Sequence, residues 1–202
     1  MPLWLAADPL ILASRSAVRQ VLLNAAGIPL EVCPADIDER AAQGSDGSTA
    51  AAATALLLAR EKASVVAGRR PGRLVLGADQ TLSLGADCFA KPADRAAARA
   101  QLRALSGRRH GLHSAIVFVQ DDRVEFEHVA IAELTMRVLS EHFLDIYLDA
   151  VGTAATASVG AYQLEGLGAQ LFERVDGDYF AVLGLPLLPA LDFLRRRGCL
   201  VR

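Results

Sequence analysis

The sequence has few cysteines, few aromatic side chains and no long apolar run. Its three cysteines, Cys33, Cys88 and Cys199, are far apart and lack the spacing of a metal site, so we expect reduced thiols in a reducing compartment. Hydrophobic residues make up 52% of the chain, but alanine supplies much of this fraction, and no window approaches the roughly 18 consecutive apolar residues of a membrane span. The first residues also lack the pattern of a secretion signal. These absences predict a cytoplasmic protein that has no membrane partner.

An excess of charge of either sign is also absent. The chain has 21 basic and 23 acidic residues and a formal net charge of −2. A protein that binds nucleic acid regardless of sequence needs a basic surface that displaces counterions from the phosphates. We therefore expect no nucleic-acid partner, and any phosphate chemistry should depend on a few placed lysines and arginines.

Segments with helical and strand-like patterns alternate along the 202 residues. A chain of this length can bury a sizeable core, so a single domain over 1–202 is expected. Several strand-like segments are separated by short turns, which favours a mixed sheet over an all-parallel one. The predicted fold class is α/β. Strands are predicted at 10–13, 30–33, 73–84, 113–120, 124–134 and 170–175, and helices at 17–26, 49–67, 94–105, 140–150 and 186–197.

The turn after the first predicted strand is the first candidate site. Ser14 and Ser16 precede a helix, whose first backbone N–H groups are free to bind an anion. Arg19 lies in the first turn of that helix, where its guanidinium can donate two hydrogen bonds to phosphate oxygens. The alternative is an ordinary serine cap beside a solvated arginine, and the spacing alone favours that alternative.

Acidic residues at two places form the second candidate. One is the run Asp36-Ile37-Asp38-Glu39, and the other is Asp79, which ends an apolar strand after Gly77 and Ala78. Phosphoryl chemistry uses carboxylates to hold a hard divalent cation and to deprotonate water. A solvated loop is the simpler interpretation of the acidic run. A purely solvated position is a weaker explanation for Asp79, because a carboxylate next to a buried strand must find a partner.

Lysine is scarce, and two lysines in the middle of the chain form the third candidate together with His110. Lys62 lies in a long apolar helix and Lys91 precedes a proline at a strand end. Either ammonium can neutralise part of a polyphosphate. Surface lysines whose stems cover apolar groups remain an equal alternative. His110 fits a core or a surface position equally well.

The glycine-rich loop from Gly160 to Gly168 is the fourth candidate. Glycine lets the backbone approach a ligand closely, and the Glu165 carboxylate can accept hydrogen bonds from the edge of a base. Neither a Gly-x-Gly-x-x-Gly segment after the first strand nor a Walker-type loop is present, which removes the two commonest nucleotide-binding motifs.

Taken together, these segments resemble the Maf family of nucleotide pyrophosphatases, which is part of the inosine-triphosphatase-like superfamily. The resemblance is collinear from Leu10 to Gly198 and therefore covers nearly the whole chain. The motifs that carry it are Leu10-Ile11-Leu12-Ala13-Ser14 with Ser16 and Arg19, Asp36-Ile37-Asp38-Glu39, Ala59-Arg60-Glu61-Lys62-Ala63, Leu76-Gly77-Ala78-Asp79, Lys91-Pro92, Leu105-Ser106-Gly107 with His110, Gly160-Ala161-Tyr162, Glu165-Gly166-Leu167-Gly168, and Gly184-Leu185-Pro186-Leu187.

The resemblance implies a fold, a reaction and a role for each matching residue. The fold would be a curved mixed sheet flanked by helices, with a substrate cleft between two lobes. The reaction would be hydrolysis of a nucleoside triphosphate to the monophosphate and pyrophosphate, with Asp79 activating the water that attacks the α-phosphorus. The triphosphate would be held by Ser14, Arg19, Lys62 and Lys91, and a divalent cation, Mg²⁺ or Mn²⁺, by Glu39 and Asp79. The family also implies a homodimer.

Three positions that differ between substrate branches of the family correspond to Val18, Gln80 and Glu165. The branch that hydrolyses dTTP and UTP carries arginine, threonine and glutamine there, and this chain has none of these three. Gln80 and Glu165 match the branch resembling 7-methyl-GTP pyrophosphatase, while Val18 replaces that branch's tryptophan. A carboxylate at 165 suits the N–H donors of a guanine-type base.

The resemblance thus favours a modified substrate such as 7-methyl-GTP. Two alternatives remain open at this point: a dTTP/UTP pyrophosphatase, and a nucleotide-binding regulator of septum formation without catalytic activity. The presence of Asp79, Lys62, Lys91 and Glu39 argues against a purely binding role, because binding alone needs no carboxylate that activates water.

Overall fold

The computed structural model describes residues 3–37 and 51–202. Its strands are β1 (Leu10–Leu12), β2 (Leu30–Val32), β3 (Leu74–Leu84), β4 (Asp87–Phe89), β5 (Arg109–Gln120), β6 (Arg123–Met136) and β7 (Phe172–Asp176). Its α-helices are α1 (Ala17–Ala25), α2 (Ala51–Gly68), α3 (Arg95–Leu105), α4 (Glu141–Val151), α5 (Tyr179–Val182) and α6 (Leu187–Arg196). Short 3₁₀ helices cover Gly152–Thr156, Val159–Ala161 and Leu167–Leu171.

The seven strands form one mixed sheet. Its order is β2-β1-β3-β5-β6-β7, with β4 paired to β3 outside this path. The pairs β1–β2 and β1–β3 are parallel, whereas β3, β5, β6 and β7 pair in antiparallel fashion. Helices flank the sheet, so the predicted α/β fold with a mixed sheet is confirmed.

Local capping signals place three of the helices. The side chains of Ser16, Asp94 and Ser140 each accept a hydrogen bond from a backbone N–H three residues further along, at the start of α1, α3 and α4. Such a cap stabilises a helix by about 1 kcal/mol, because it satisfies a backbone donor that has no partner within the helix. The beginnings of these three helices agree with the prediction.

The β5–β6 hairpin is longer than its sequence pattern predicts. β5 begins at Arg109 rather than at 113, and β6 continues to Met136 rather than ending at 134. The extra residues pair with each other across the hairpin, from Arg109 opposite Thr135 onward. Pairing between strands therefore extends the hairpin past the apolar alternation. The last strand begins later than predicted, because Leu167–Leu171 forms a 3₁₀ helix.

Helix α2 covers one face of the sheet at very short range. Gly77 of β3 lies directly beneath it: a Cβ at Gly77 would be 2.1 Å from the carbonyl oxygen of Ala59 and 2.8 Å from the Cβ of Ala63. Only glycine fits this contact, because any side chain would overlap the helix backbone. The small residues of α2 and Gly77 therefore bring helix and strand into backbone contact.

The opposite face of the sheet carries two separate apolar cores. The first lies under α1 and α6, and the second under α3 and α4. The first contains Leu12, Leu76, Ile116, Phe118 and Phe193, and the second contains Leu82, Leu102, Leu112, Leu134 and Leu144. Gln80 and Ser114 lie on β3 and β5 between the two cores, as alternation along the strands requires. The two cores fit the two lobes that the resemblance implies.

In the part of the chain that the structure describes, the helices are too short or too polar to span a bilayer.

Candidate active site

An opening in the sheet defines the candidate site. On one edge of β3, β1 pairs with Val75 and Leu76, and β4 pairs with residues 82–84. Between these contacts, residues 78–81 have no strand neighbour on that edge among the described residues. Asp79 and Gln80 lie in this opening. Side chains from both faces of the sheet can therefore reach one ligand there.

Asp79 forms a buried ion pair with Lys62. Oδ1 of Asp79 lies 2.5 Å from Nζ of Lys62, and the two residues are 7% and 8% exposed. Lys62 lies three residues and Ala63 four residues after Ala59 in α2, and residues three or four apart in a helix lie on the same side. The contact of these alanines with Gly77 places the ammonium above the carboxylate. The pair thus results from the packing of α2 on β3.

Arg19 joins three segments around the opening. Its Nε donates to the carbonyl oxygen of Gly184 at 2.8 Å, and its Nη1 donates to the carbonyl of Ala78 at 2.8 Å and to Oγ of Ser14 at 3.0 Å. Arg19 and Ser14 are both buried. The guanidinium therefore holds the end of β1, the strand residue before Asp79 and the loop after α5 together. Because several of its donors bind protein oxygens, Arg19 is an organiser of this site as well as a cation within it.

Gln80 points to the sheet face opposite Asp79. Its Nε2 lies 2.9 Å from Oγ of Ser114 and 3.1 and 3.0 Å from the carbonyl oxygens of Ala181 and Val182. Successive side chains of a strand alternate between faces, so the neighbours Asp79 and Gln80 contact different layers. A ligand can contact both side chains only at the open edge of β3.

Three other predicted site residues are less buried than the Lys62–Asp79 pair. Val18 is half-buried in the first turn of α1, and Lys91 and Glu165 are exposed on loops. Within residues 3–37 and 51–202, neither Lys91 nor Glu165 forms a side-chain hydrogen bond or ion pair. Glu39, the predicted metal ligand, lies outside the described residues.

His110 belongs to a core, not to the opening. It is 2% exposed, its Nε2 lies 2.8 Å from the hydroxyl of Tyr162, and its ring contacts the ring of Phe172. Nδ1 is buried with no hydrogen-bond partner among the residues described. Burial lowers the pKa of His110 from its ordinary 6.5 to about 4. The imidazole is therefore neutral at physiological pH and supports packing.

This burial predicts that acid destabilises the fold through His110. The unfolded chain binds a proton near pH 6.5 and the folded chain only near 4, so stability falls as the pH drops between these values. From pH 7 to pH 5 we expect a loss of about 2 kcal/mol in the free energy of unfolding from this residue. Urea unfolding of wild type and His110→Gln at both pH values measures it. The variant should lose less stability on acidification.

His142→Gln is the matched control, because His142 is exposed. Its pH dependence should equal that of wild type. Equal acid sensitivity of wild type and His110→Gln would contradict the assignment.

Ser114 and the carbonyls of Ala181 and Val182 contribute to the site and are missing from the sequence-based prediction. Ser114 has no solvent exposure and its Oγ donates to the carbonyl of Ala181 at 2.7 Å. Ser114 could have been found as a hydroxyl residue within the apolar sequence of β5, since a fully buried polar group needs a hydrogen-bond partner. The backbone carbonyls left no signal in the sequence.

The described residues at the opening supply few ligands for a divalent cation such as Mg²⁺. No group of three or more His, Cys, Asp or Glu residues that could hold a metal occurs in the described ranges. Mg²⁺ commonly uses one or two protein carboxylates together with substrate phosphates and water. Asp79 supplies one such carboxylate at the opening. The remaining chemistry of the opening, a carboxylate beside buried cations, suits the hydrolysis of a phosphoric anhydride.

Comparison with known proteins gives a consistent result. A family described as Maf-like protein matches residues 9–197. A protein of Nitrobacter winogradskyi named nucleoside triphosphate pyrophosphatase is 57% identical over 200 residues, which is 99% of each chain. A protein of Rhodopseudomonas palustris with the same name is also 57% identical over 200 residues and 99% of each chain. A protein of Mesorhizobium japonicum named 7-methyl-GTP pyrophosphatase is 52% identical over 195 residues, covering 96% of this chain and 98% of that protein.

Proposed function

Because the chain belongs to the Maf family, whose members include nucleoside triphosphate pyrophosphatases, we propose that it hydrolyses 7-methyl-GTP, or a closely related modified guanine nucleotide, with Asp79 as the base. The observation that carries the proposal is the buried Lys62–Asp79 pair at the opening of the sheet. The general activity, hydrolysis of a nucleoside triphosphate, is that of the family.

In the proposed reaction Asp79 takes a proton from the attacking water. The water oxygen forms a bond to the α-phosphorus, and the bond from the α-phosphorus to the oxygen bridging to the β-phosphate breaks. The products are the nucleoside monophosphate and pyrophosphate. General base catalysis of this kind contributes about 10²–10⁴-fold to a rate. A carboxylate held in place on a central strand supports this role, because its position varies little.

Cations around the opening would neutralise the triphosphate. Lys62 lies beside Asp79, and Arg19 and Ser14 are hydrogen-bonded to each other next to it. Lys91, on an exposed loop, would approach the phosphates once substrate is bound. In phosphoryl transfer, positioning and charge neutralisation account for most of the catalysis.

A divalent cation, Mg²⁺ or Mn²⁺, would be held by Asp79 together with Glu39. When bound, such an ion neutralises charge on the phosphate oxygens. The protein's own contribution is to fix the Asp79 carboxylate beside Lys62 at the open edge of β3, where the phosphates would bind.

Gln80 and Glu165 support the proposed nucleobase, 7-methylguanine, as does the relative named 7-methyl-GTP pyrophosphatase. A carboxylate and an amide oxygen accept hydrogen bonds, which suits the N1–H and N2–H₂ donors of guanine. A carboxylate also attracts the positive charge of a 7-methylated base. Val18 is aliphatic, so base stacking at this position is not part of the proposal.

A panel of nucleotides tests the proposal. We expect pyrophosphate release from 7-methyl-GTP in the presence of Mg²⁺ or Mn²⁺, with kcat/KM at least about tenfold above that for dTTP or UTP. Chelation of the metal should abolish the release. The measurement is initial pyrophosphate production at matched nucleotide concentrations.

Each other outcome of the panel has a definite meaning. A preference for dTTP would refute the 7-methyl-GTP assignment and favour the dTTP/UTP alternative. No pyrophosphate from any triphosphate would favour a nucleotide-binding regulator of septum formation. We also propose a homodimer, which sedimentation equilibrium of the purified chain would test, and a cytoplasmic location, which cell fractionation would test.

A further inference from the structure

Two polar side chains face each other between the two apolar cores. Gln80 of β3 and Ser114 of β5 are directly opposite in the antiparallel register. Ser114 has no solvent exposure, while Gln80 is half-buried. Burying a hydroxyl without a hydrogen bond destabilises the folded protein. The hydrogen-bond partners of Ser114 and Gln80 therefore indicate the role of this pair.

The hydrogen bonds of this pair fix the orientation of the Gln80 amide. Its nitrogen has three oxygens within 3.1 Å: Oγ of Ser114 and the carbonyls of Ala181 and Val182. Carbonyl oxygens only accept hydrogen bonds, so the NH₂ group must face them. Ser114 in turn donates to the carbonyl of Ala181 at 2.7 Å, which leaves its lone pairs for Gln80.

The amide oxygen of Gln80 is consequently turned toward the other side. A Cβ on Gly184 would lie 3.4 Å from Oε1 of Gln80 and 3.5 Å from Nη2 of Arg19. Oε1 therefore lies on the side of Gly184, whose carbonyl oxygen accepts a hydrogen bond from Nε of Arg19. No described residue donates a hydrogen bond to Oε1, so this acceptor is available for a donor on a ligand.

We propose that Ser114 is a positioning residue for base selection: together with the carbonyls of Ala181 and Val182 it holds Gln80 so that only an acceptor faces the nucleotide. The proposal rests on the proposed function. A base edge with an N–H donor, such as guanine N1–H, gains a hydrogen bond to Oε1. An edge with a lone pair at the same place, such as adenine N1, meets an oxygen that it cannot bond.

A double-mutant cycle tests this role. The readout is the ratio of kcat/KM for GTP to kcat/KM for ATP, with kcat and KM determined separately. We expect Gln80→Ala to lower the ratio about tenfold, mainly through KM for GTP, because one hydrogen bond to the base is lost. Ser114→Ala should lower it by only about two- to threefold, since one of the three partners of the amide nitrogen is lost while the carbonyls of Ala181 and Val182 remain. The double variant should match Gln80→Ala alone.

Two further variants separate positioning from general stability. Ser83→Ala, a half-buried serine on β3 whose Oγ contacts His113, should keep the wild-type ratio. Ser114→Thr keeps the hydroxyl and should also keep the ratio. Effects that multiply in the double variant, or an equal loss with GTP and ATP in Ser114→Ala, would overturn the proposal.

A wild-type preference for dTTP would refute the 7-methyl-GTP proposal but leave these ratios interpretable.

Discussion

Asp79→Asn should lower kcat by about 10²–10⁴-fold, the range expected when a general base is lost. Asparagine has nearly the same shape as aspartate, so the strand and the opening should keep their structure, but an amide cannot take a proton from water. The substitution also removes the negative charge 2.5 Å from the Lys62 ammonium. We therefore expect the free energy of unfolding to fall by about 3 kcal/mol, the cost of breaking a buried ion pair.

Steady-state kinetics and urea unfolding measure the two effects separately. Asp94→Asn is the matched control: Asp94 is exposed and caps α3, a position where asparagine is equally suitable. This control should keep wild-type turnover and stability. Turnover of Asp79→Asn within a few-fold of wild type would refute the assignment of Asp79 as the base.

Lys62→Met should damage both activity and stability. Methionine approximates the length of lysine and fills the space under α2, but it carries no charge. Asp79 then loses its ammonium partner, and we expect the free energy of unfolding to fall by about 3–5 kcal/mol. Loss of a cation beside the developing phosphate charge should reduce kcat/KM by about 10²–10³-fold.

The double variant Lys62→Met, Asp79→Asn separates these effects. With both charges gone, the stability should return to within about 1 kcal/mol of wild type, because neither a buried ammonium nor a buried carboxylate loses its partner. The turnover should stay as low as in Asp79→Asn. Arg60→Met serves as the control, since Arg60 is on the same helix and forms an exposed ion pair with Glu127, worth less than about 1 kcal/mol. Stability losses that add up in the double variant would contradict the proposed coupling.

Local chemistry made much of the fold predictable. Ser16, Asp94 and Ser140 are helix-capping residues, and the structure uses all three as caps. These signals act between residues three apart and need no knowledge of the rest of the chain. The strand leading to Asp79 was predictable for a similar reason, because its apolar run is bounded by glycine and charged residues.

The arrangement of the site was predictable only in part. The sequence predicts that Asp79 needs a partner, and it places Lys62 in an apolar helix, where a surface position is an equal alternative. Their pairing depends on α2 packing against β3 at Gly77, a contact between segments that no local pattern reveals. The amide orientation of Gln80 depends on backbone carbonyls of α5, about a hundred residues away in the chain. Backbone groups are the same in every residue, so the sequence cannot mark which of them will meet a side chain.

The glycine contact between α2 and β3 has a consequence for how the enzyme meets its substrate. The backbone of Ala59 in α2 contacts Gly77 and prevents a closer approach of the helix to the sheet. This contact determines the distance between Lys62 and Asp79. The separation of the two charges is therefore a property of the folded chain rather than a response to nucleotide. If the proposed function holds, a polyphosphate would meet charged groups that are already in position, and little of its binding energy would be spent on reorienting them.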